Sequence, residues 1–180
     1  DYSYSWTGPS GFISDLEDLT SLCAGLYTLT VEDDNGCTIS DTFDITELDE
    51  LTVDIVLSDY NGFGVSCFGA NDGFINITPS GGSGEYTFSW SNLETSEDVI
   101  NLNAGSYTVT ISDSNDLSCF ISETVLLTEP DPISISFSNS NATCFEFCDG
   151  SFDATVTGGT ENYSYSWTGP SGFISDLEDP

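Results

Sequence analysis

The 180-residue chain carries 31 Asp and Glu residues and no Lys, Arg or His, which gives a formal net charge of −31. Without cationic side chains it cannot neutralise phosphates, which excludes the usual binding of nucleic acid and disfavours anionic membranes. The lack of imidazole, lysine and arginine also removes the usual general bases and oxyanion clamps, so we expect no catalytic residues and no enzyme activity. Aromatic residues make up 13% of the chain, which indicates a folded protein rather than a disordered acidic segment.

The first 50 residues predict short strands separated by tight turns. Aromatic residues alternate with serine over residues 2–6, and apolar residues alternate with polar ones over residues 27–31. A period of two places every apolar side chain of a run on one face of a strand. Asp-Asn-Gly at 34–36 has the composition of a turn.

The same pattern recurs further along the chain. Alternating runs occupy residues 86–90, 107–111 and 163–167, and Asn-Asp-Gly at 71–73 and Gly-Gly at 81–82 supply turns. No stretch shows a convincing helical period. We therefore expect seven or so short antiparallel strands in each structural unit.

The chain repeats itself on two scales. Residues 163–179 are identical to residues 2–18, 17 identities in 17 at an offset of 161, and residues 144–167 align without gaps to residues 67–90 at an offset of 77. Internal repeats of this kind indicate a tandem array, of which the chain is expected to be a section.

This repetition divides the chain into modules. We expect the C-terminal half of one module at residues 1–50, a complete module at 51–130 and the N-terminal half of the next at 131–180. The predicted fold is all-β, with tandem immunoglobulin-like β-sandwich modules of about 80 residues in a two-module period of 161 residues. The two prolines of Glu-Pro-Asp-Pro at 129–132 predict a stiff joint between modules.

Aromatic residues in register with the strands are expected in the core rather than in a ligand site. The sequence Leu-x-Ala-Gly-x-Tyr, at 22–27 and 102–107, resembles a tyrosine corner, in which the Tyr hydroxyl bonds back to the preceding loop. The predicted core aromatics are Trp6, Tyr27, Trp90, Tyr107 and Trp167.

Four motifs in a fixed order carry a family resemblance. They are Asp-Asn-Gly-Cys at 34–37, Cys-Phe-Gly-Ala-Asn-Asp-Gly at 67–73, the segment ending in Tyr-Thr-Phe-Ser-Trp at 81–90, and Leu-Asn-Ala-Gly-Ser-Tyr-Thr-Val-Thr-Ile at 102–111. This set resembles the SprB-type repeat of giant surface adhesins of gliding Bacteroidota. The resemblance implies export by the type IX secretion system and display at the cell surface, with secretion or motility machinery and surface polysaccharide as partners.

Six cysteines in an acidic chain indicate disulfides in an oxidising, extracellular compartment. The complete module contains only Cys67 and Cys119, so these two are expected to pair. The other module type has Cys144 and Cys37 at the equivalent positions, with their partners expected in adjacent periods.

Two further cysteines occur only in the second module type. Cys148 and Cys23 stand where the complete module has Asn71 and Asn103, so they are expected to bond to each other's equivalents one period away. Cys23 and Cys37 bracket a strand of about eight residues, roughly 26 Å long, and are not expected to pair with each other.

Carboxylates cluster in the predicted turns and raise the question of calcium. The candidates are Asp33, Asp34, Asp113 and Asp116. Calcium requires six to eight oxygen ligands, but aspartate is also a favoured turn residue, and no known calcium-loop spacing appears. We therefore expect no cofactor and no metal, with calcium as the open alternative.

We expect a structural repeat segment of a long extracellular filament or adhesin stalk that mediates surface attachment and gliding. Adjacent copies of the same repeat in one long chain are its expected partners. Two alternatives stay open, a carbohydrate-binding repeat module and a surface-layer or biofilm matrix protein.

Overall fold

The computed structural model describes residues 1–160 and 162–179. It divides into two units, Asp1–Glu50 and Leu51–Pro180. Regular structure in the described residues consists of β-strands and two short 3-10 turns, Pro9–Gly11 and Pro170–Gly172. No helix in these residues is long and apolar enough to span a bilayer. The predicted all-β class is confirmed.

The first unit is one antiparallel sheet with the strand order β2-β1-β3-β4. Its strands are β1 (Tyr2–Thr7), β2 (Ile13–Ser14), β3 (Gly25–Asp33) and β4 (Thr38–Ile45). Trp6 of β1 is paired with Leu29 of β3. The Trp6 ring lies 6.0 Å from the ring of Phe43 on β4. Phe43 is 46% exposed, because no second sheet covers this face within residues 1–50.

Residues 51–127 form a two-layer sandwich. Its strands are β5 (Thr52–Leu57), β6 (Gly73–Ser80), β7 (Tyr86–Trp90), β8 (Val99–Leu102), β9 (Gly105–Asp113) and β10 (Phe120–Leu127). One sheet has the order β5-β6-β8 and the other β10-β9-β7, all antiparallel. This is the strand arrangement of an immunoglobulin-like sandwich. There are six strands rather than about seven, because residues 91–98 form turns and bends.

The core of the sandwich lies between these two sheets. Its buried residues are Ile75, Ile77, Trp90, Val99, Leu102, Val109, Ile111 and Leu127. Phe88 and Tyr107 are half-buried and pack against this cluster. The period of two in the sequence therefore arises for the predicted reason, because the apolar face of each strand packs against the opposite sheet.

The remaining strands form two hairpins. Their strands are β11 (Ser134–Ser140), β12 (Ser151–Thr157), β13 (Trp167–Thr168) and β14 (Ile174–Ser175). The Phe152 ring stacks on that of Trp167 at 5.8 Å, yet Phe152 is still 45% exposed. At the equivalent position of the complete module, Ile75 is fully buried.

The partial modules correspond to different parts of the complete sandwich. The ladder of β11 and β12 matches that of β5 and β6, since Thr157 pairs with Ser134 as Ser80 pairs with Thr52. The sheet β1-β3-β4 matches β7-β9-β10. Residues 131–160 thus supply one layer of a sandwich, and residues 1–50 supply the strands of the opposite layer.

Candidate functional site

A candidate site of the second unit lies at the junction between the complete module and the hairpin that follows it. Pro130 is fully buried there. The Glu129 carboxylate accepts a hydrogen bond from the Gly69 backbone N–H at 2.7 Å, which ties the joint to the loop before β6. The Gly159 N–H donates to the Asp131 carbonyl at 2.8 Å on the other side of the joint.

A cleft of about 300 Å³ lies at this junction. On one side it is lined by the loop residues Ser66, Cys67 and Phe68 of the complete module. On the other side it is lined by the start of the next module: Asp131, Pro132, Ile133, Gly159 and Thr160. The exposed Cys67 side chain therefore lies beside the N-terminal end of the next module.

The loop that carries Cys67, residues 58–72, is held by hydrogen bonds to the strands around it. The buried Ser58 hydroxyl donates to the Gly64 carbonyl at 2.6 Å and accepts from the Phe74 N–H at 3.0 Å. Gly64 and Val65 both donate to the Thr128 carbonyl, just beyond the end of β10. The loop is thereby fixed at the C-terminal end of the sandwich.

The opposite, N-terminal end of the sandwich is organised by Asp113. Its carboxylate accepts hydrogen bonds from the Ser83 N–H at 2.5 Å, the Ser83 hydroxyl at 2.7 Å and the Asn115 N–H at 2.8 Å. These bonds, with those of Ser83 the largest cause, lower the pKa of Asp113. The Asp113 side chain joins the turn after β6 to the turn after β9. A Cβ at position 82 would lie 2.5 Å from an Asp113 oxygen, so the close approach requires the glycine.

The other calcium candidates also act within turns. The Asp33 carboxylate accepts from the N–H groups of Asn35 and Cys37, and that of Asp116 accepts from Ser118. These hydrogen bonds, with those of Cys37 and Ser118 the largest, lower the pKa of both carboxyls. Asp34 lies in the turn beside Asp33, and residues 1–160 and 162–179 contain no group of three or more acidic or Cys side chains placed to hold a metal. Calcium binding stays an untested alternative.

The disulfide expected between Cys67 and Cys119 is not formed. All six cysteines, Cys23, Cys37, Cys67, Cys119, Cys144 and Cys148, are free and exposed. Cys119 directly precedes the first residue of β10, whereas Cys67 lies in the loop fixed to Thr128 beyond its last residue. A strand of this length spans roughly 26 Å, while a disulfide needs Cα atoms within about 7 Å. Comparing modules identified equivalent cysteines but did not reveal that they lie at opposite ends.

The extra cysteines occupy positions at one end of the β6–β8 ladder of the complete module. Gly73 and Leu102 are paired at that end, and residues 71 and 103, the counterparts of Cys148 and Cys23, lie one or two positions beyond it. The disulfide between Cys148 and the Cys23 position one period away stays a prediction. Cys144 lies in the loop before β12, as Cys67 lies in the loop before β6.

The predicted core aromatics fall into two groups. Tyr27 and Trp90 are each 3% exposed, while Tyr107, Trp6 and Trp167 are half-buried. The hydroxyls of Tyr27 and Tyr107 donate to the carbonyls of the residues four positions before them, each at 3.0 Å, which is the geometry of a tyrosine corner. Trp6 and Trp167 are less buried than Trp90 because each belongs to a partial module.

Sequence comparison identifies the module type. Residues 65–95 and 136–172 match the family model described as the SprB repeat. Each of these two segments is similar to the SprB repeat. Both matches end at the same point of the module, since residue 172 follows residue 95 by the offset of 77 that relates the modules. The resemblance inferred from the sequence motifs is confirmed, and it indicates a repeat segment of the surface-adhesin type.

No curated protein matches the chain. Among solved structures, one similar chain is described as the structure of the amphioxus IgVJ-C2 molecule, at 13% identity. The similarity covers 71% of this chain and 88% of that one, with a TM-score of 0.32.

Proposed function

We propose that this chain is a length-setting section of an extracellular adhesin fibre, whose SprB repeat modules extend the protein from the cell surface. The observation that carries the proposal is the unchanged repeat of residues 2–18 at residues 163–179. Both copies fold into the same hairpin, in which Trp6 pairs with Ser14 and Trp167 with Ser175. A spacer needs many near-identical copies, whereas a ligand site needs only one.

The charge supports an extended array. A net charge of −31 with no Lys, Arg or His gives every module the same sign of potential, which favours separation between modules and between neighbouring fibres. The buried Pro130 and the bond from Gly69 to Glu129 restrain the joint after the complete module. These features favour a fibre that stays extended in solution.

The exposed rings do not favour the carbohydrate-binding alternative. A cleft of about 550 Å³ is lined by the aromatic residues Tyr163, Tyr165 and Trp167. Their counterparts Tyr86, Phe88 and Trp90 lie in or against the core of the complete module. The cleft is therefore the open core of a partial module, and completing that module would close it.

Attachment and gliding form the finer part of the proposal. By the SprB resemblance, we propose export through type IX secretion and movement of the fibre by motility machinery while it contacts a surface polysaccharide. The modules themselves would set the length of the fibre, and no catalytic residue is assigned to them.

The test is to measure fibre length against copy number. Chains of one, two and four 161-residue periods are imaged by electron microscopy, and we expect the contour length to increase by about 50 Å or more per period, from two sandwiches of about 26 Å each. A matched variant with Pro130 and Pro132 replaced by Gly should keep the contour length and shorten the mean end-to-end distance. Compact particles whose size does not follow copy number would contradict the proposal, and lateral sheets would favour the matrix alternative.

A further inference from the structure

We propose that disulfides join successive modules of the array. In each of them, the cysteine in the loop before the second strand of one module (Cys67 or Cys144) bonds to the cysteine in the turn before the last strand of the next module (the Cys37 or Cys119 position). The inference rests on the proposed tandem array. It replaces the bond within one module that the sequence suggested.

The first step is the placement of the two cysteine positions in one sandwich. Cys67 is at the C-terminal end, in the loop fixed to Thr128, and Cys119 is at the N-terminal end, where its carbonyl accepts the Asp113 N–H at 2.9 Å. The same two positions are filled in the other module type, by Cys144 and Cys37. At these two positions each module type thus carries an exposed thiol, one at each end.

The second step is the surroundings of Cys67. The cleft beside it is completed by Gly159 and Thr160 of the next module. Thr160 occupies the position that Ser83 has in the complete module, at the offset of 77. The N-terminal end of the next module therefore faces Cys67 through Thr160. In the complete module its counterpart, Ser83, hydrogen-bonds to the carboxylate of Asp113 at the start of the β9–β10 turn.

The third step places the partner thiol. Ser83 donates two hydrogen bonds to Asp113, and Asp33 is the counterpart of Asp113 in the other module type. The Asp33 carboxylate also accepts the Cys37 N–H at 2.8 Å. When the module that begins at residue 131 is completed by the next copy of residues 19–50, Thr160 will bind the Asp33 position of that copy. The Cys37 position then lies one carboxylate away from Thr160, which itself lines the cleft beside Cys67.

By the same correspondence, Cys144 faces the Cys119 position of the module that follows it. Cys148 and the Cys23 position one period on remain within one module, because their counterparts lie just beyond the same end of the ladder of β6 and β8. Every joint would then carry one disulfide in addition to the backbone, so that a pulling force is shared between two covalent connections.

The chemistry requires only a small-molecule disulfide such as oxidised glutathione. The Cys67 thiolate attacks one of its sulfurs and releases one thiol, forming a mixed disulfide. The thiolate at the Cys37 position then attacks the Cys67 sulfur and releases the second thiol. Two protein thiols lose two protons and two electrons, and the small disulfide is reduced to two thiols.

The test uses the chain extended by one period, with residues 1–179 followed directly by residues 19–161. The protein is folded with a glutathione redox buffer, the remaining thiols are alkylated, and disulfide peptides are identified by mass spectrometry after cleavage at Asp and Glu. We expect peptides that join Cys67 to Cys37 and Cys144 to Cys119. Peptides that join Cys67 to Cys119, or Cys144 to Cys37, would overturn the proposal, as would fully alkylated cysteines at these positions.

A pair of variants controls for indirect effects. Cys67→Ser should abolish the Cys67–Cys37 peptide and leave the Cys144–Cys119 peptide unchanged, and Cys119→Ser should do the reverse. If either variant removes both peptides, the bonds are not formed independently at each joint and the assignment is wrong. Fibre length measured in reducing buffer does not depend on these bonds, so their absence would leave the proposed array standing.

Discussion

Leu127 and Leu126 are adjacent on β10 and face opposite sides of it, which makes them a matched pair for testing the sandwich. Leu127 is 1% exposed and Leu126 is 62% exposed. The Cβ positions of Gly64 and Gly73 would each lie 2.9 Å from Leu127 atoms, so the loop of residues 58–72 and the start of β6 pack directly on this side chain. Leu127→Ala therefore removes contacts from both sheets and from the loop that carries Cys67.

The expected loss follows from burial. A buried Leu→Ala change costs about 2–5 kcal/mol, and about 3 kcal/mol is a large share of the roughly 4–12 kcal/mol expected for a module of this size. Leu126→Ala should change the free energy of unfolding by less than about 0.5 kcal/mol.

Hydrogen exchange of peptides covering residues 105–127 reports on the complete module alone. Leu127→Ala should accelerate exchange of the protected amides there by about 100-fold, since each 1.4 kcal/mol is about a factor of ten. Leu126→Ala should accelerate it by less than about threefold. Equal acceleration in the two variants would refute the assignment of Leu127 to the core and of Leu126 to the surface.

Three further changes test the ends of the sandwich. Tyr107→Phe removes the hydroxyl that donates to the Asn103 carbonyl and should lower the free energy of urea unfolding by about 0.5–1.5 kcal/mol; an unchanged midpoint would refute the corner. Gly82→Ala should lower the melting temperature more than Gly84→Ala, because both residues have positive φ but only Gly82 is crowded, by Asp113. The lowered pKa of Asp113 means that its stabilisation is present above its ordinary pKa of 3.8 and lost as pH falls through the lower folded value. The free energy of unfolding of Asp113→Asn should therefore fall less steeply than that of the unsubstituted chain as the pH decreases below about 3.8. An equal slope in the two proteins would contradict this role.

The strands and the aromatic core were predictable because their signal is local. Alternation over residues 86–90 and 107–111 requires only a period of two, and the structure places Trp90 and Val109 on inner faces. The tyrosine corner was also visible, since the Tyr and its acceptor are four residues apart in both copies.

The cysteine arrangement was not predictable because it depends on which end of the sandwich each loop occupies. Comparing modules showed that Cys67 and Cys119 have counterparts, but sequence equivalence carries no information about the length of β10 between them. The role of Asp113 was missed for a related reason. Its partner Ser83 is 30 residues away, and a turn aspartate looks the same in sequence whether it faces solvent or a second turn.

The central claim is that residues 131–179 and residues 19–50 are complementary parts of one module in a tandem array. The most direct test is hydrogen exchange of β12 in a chain in which residues 131–179 are followed directly by residues 19–50, compared with β12 in the 180-residue chain. We predict that the β12 amides become strongly protected and exchange in one cooperative unit, as Phe152, now 45% exposed, is covered by the completing sheet. Equal, weak protection of β12 in both chains would contradict the modular account.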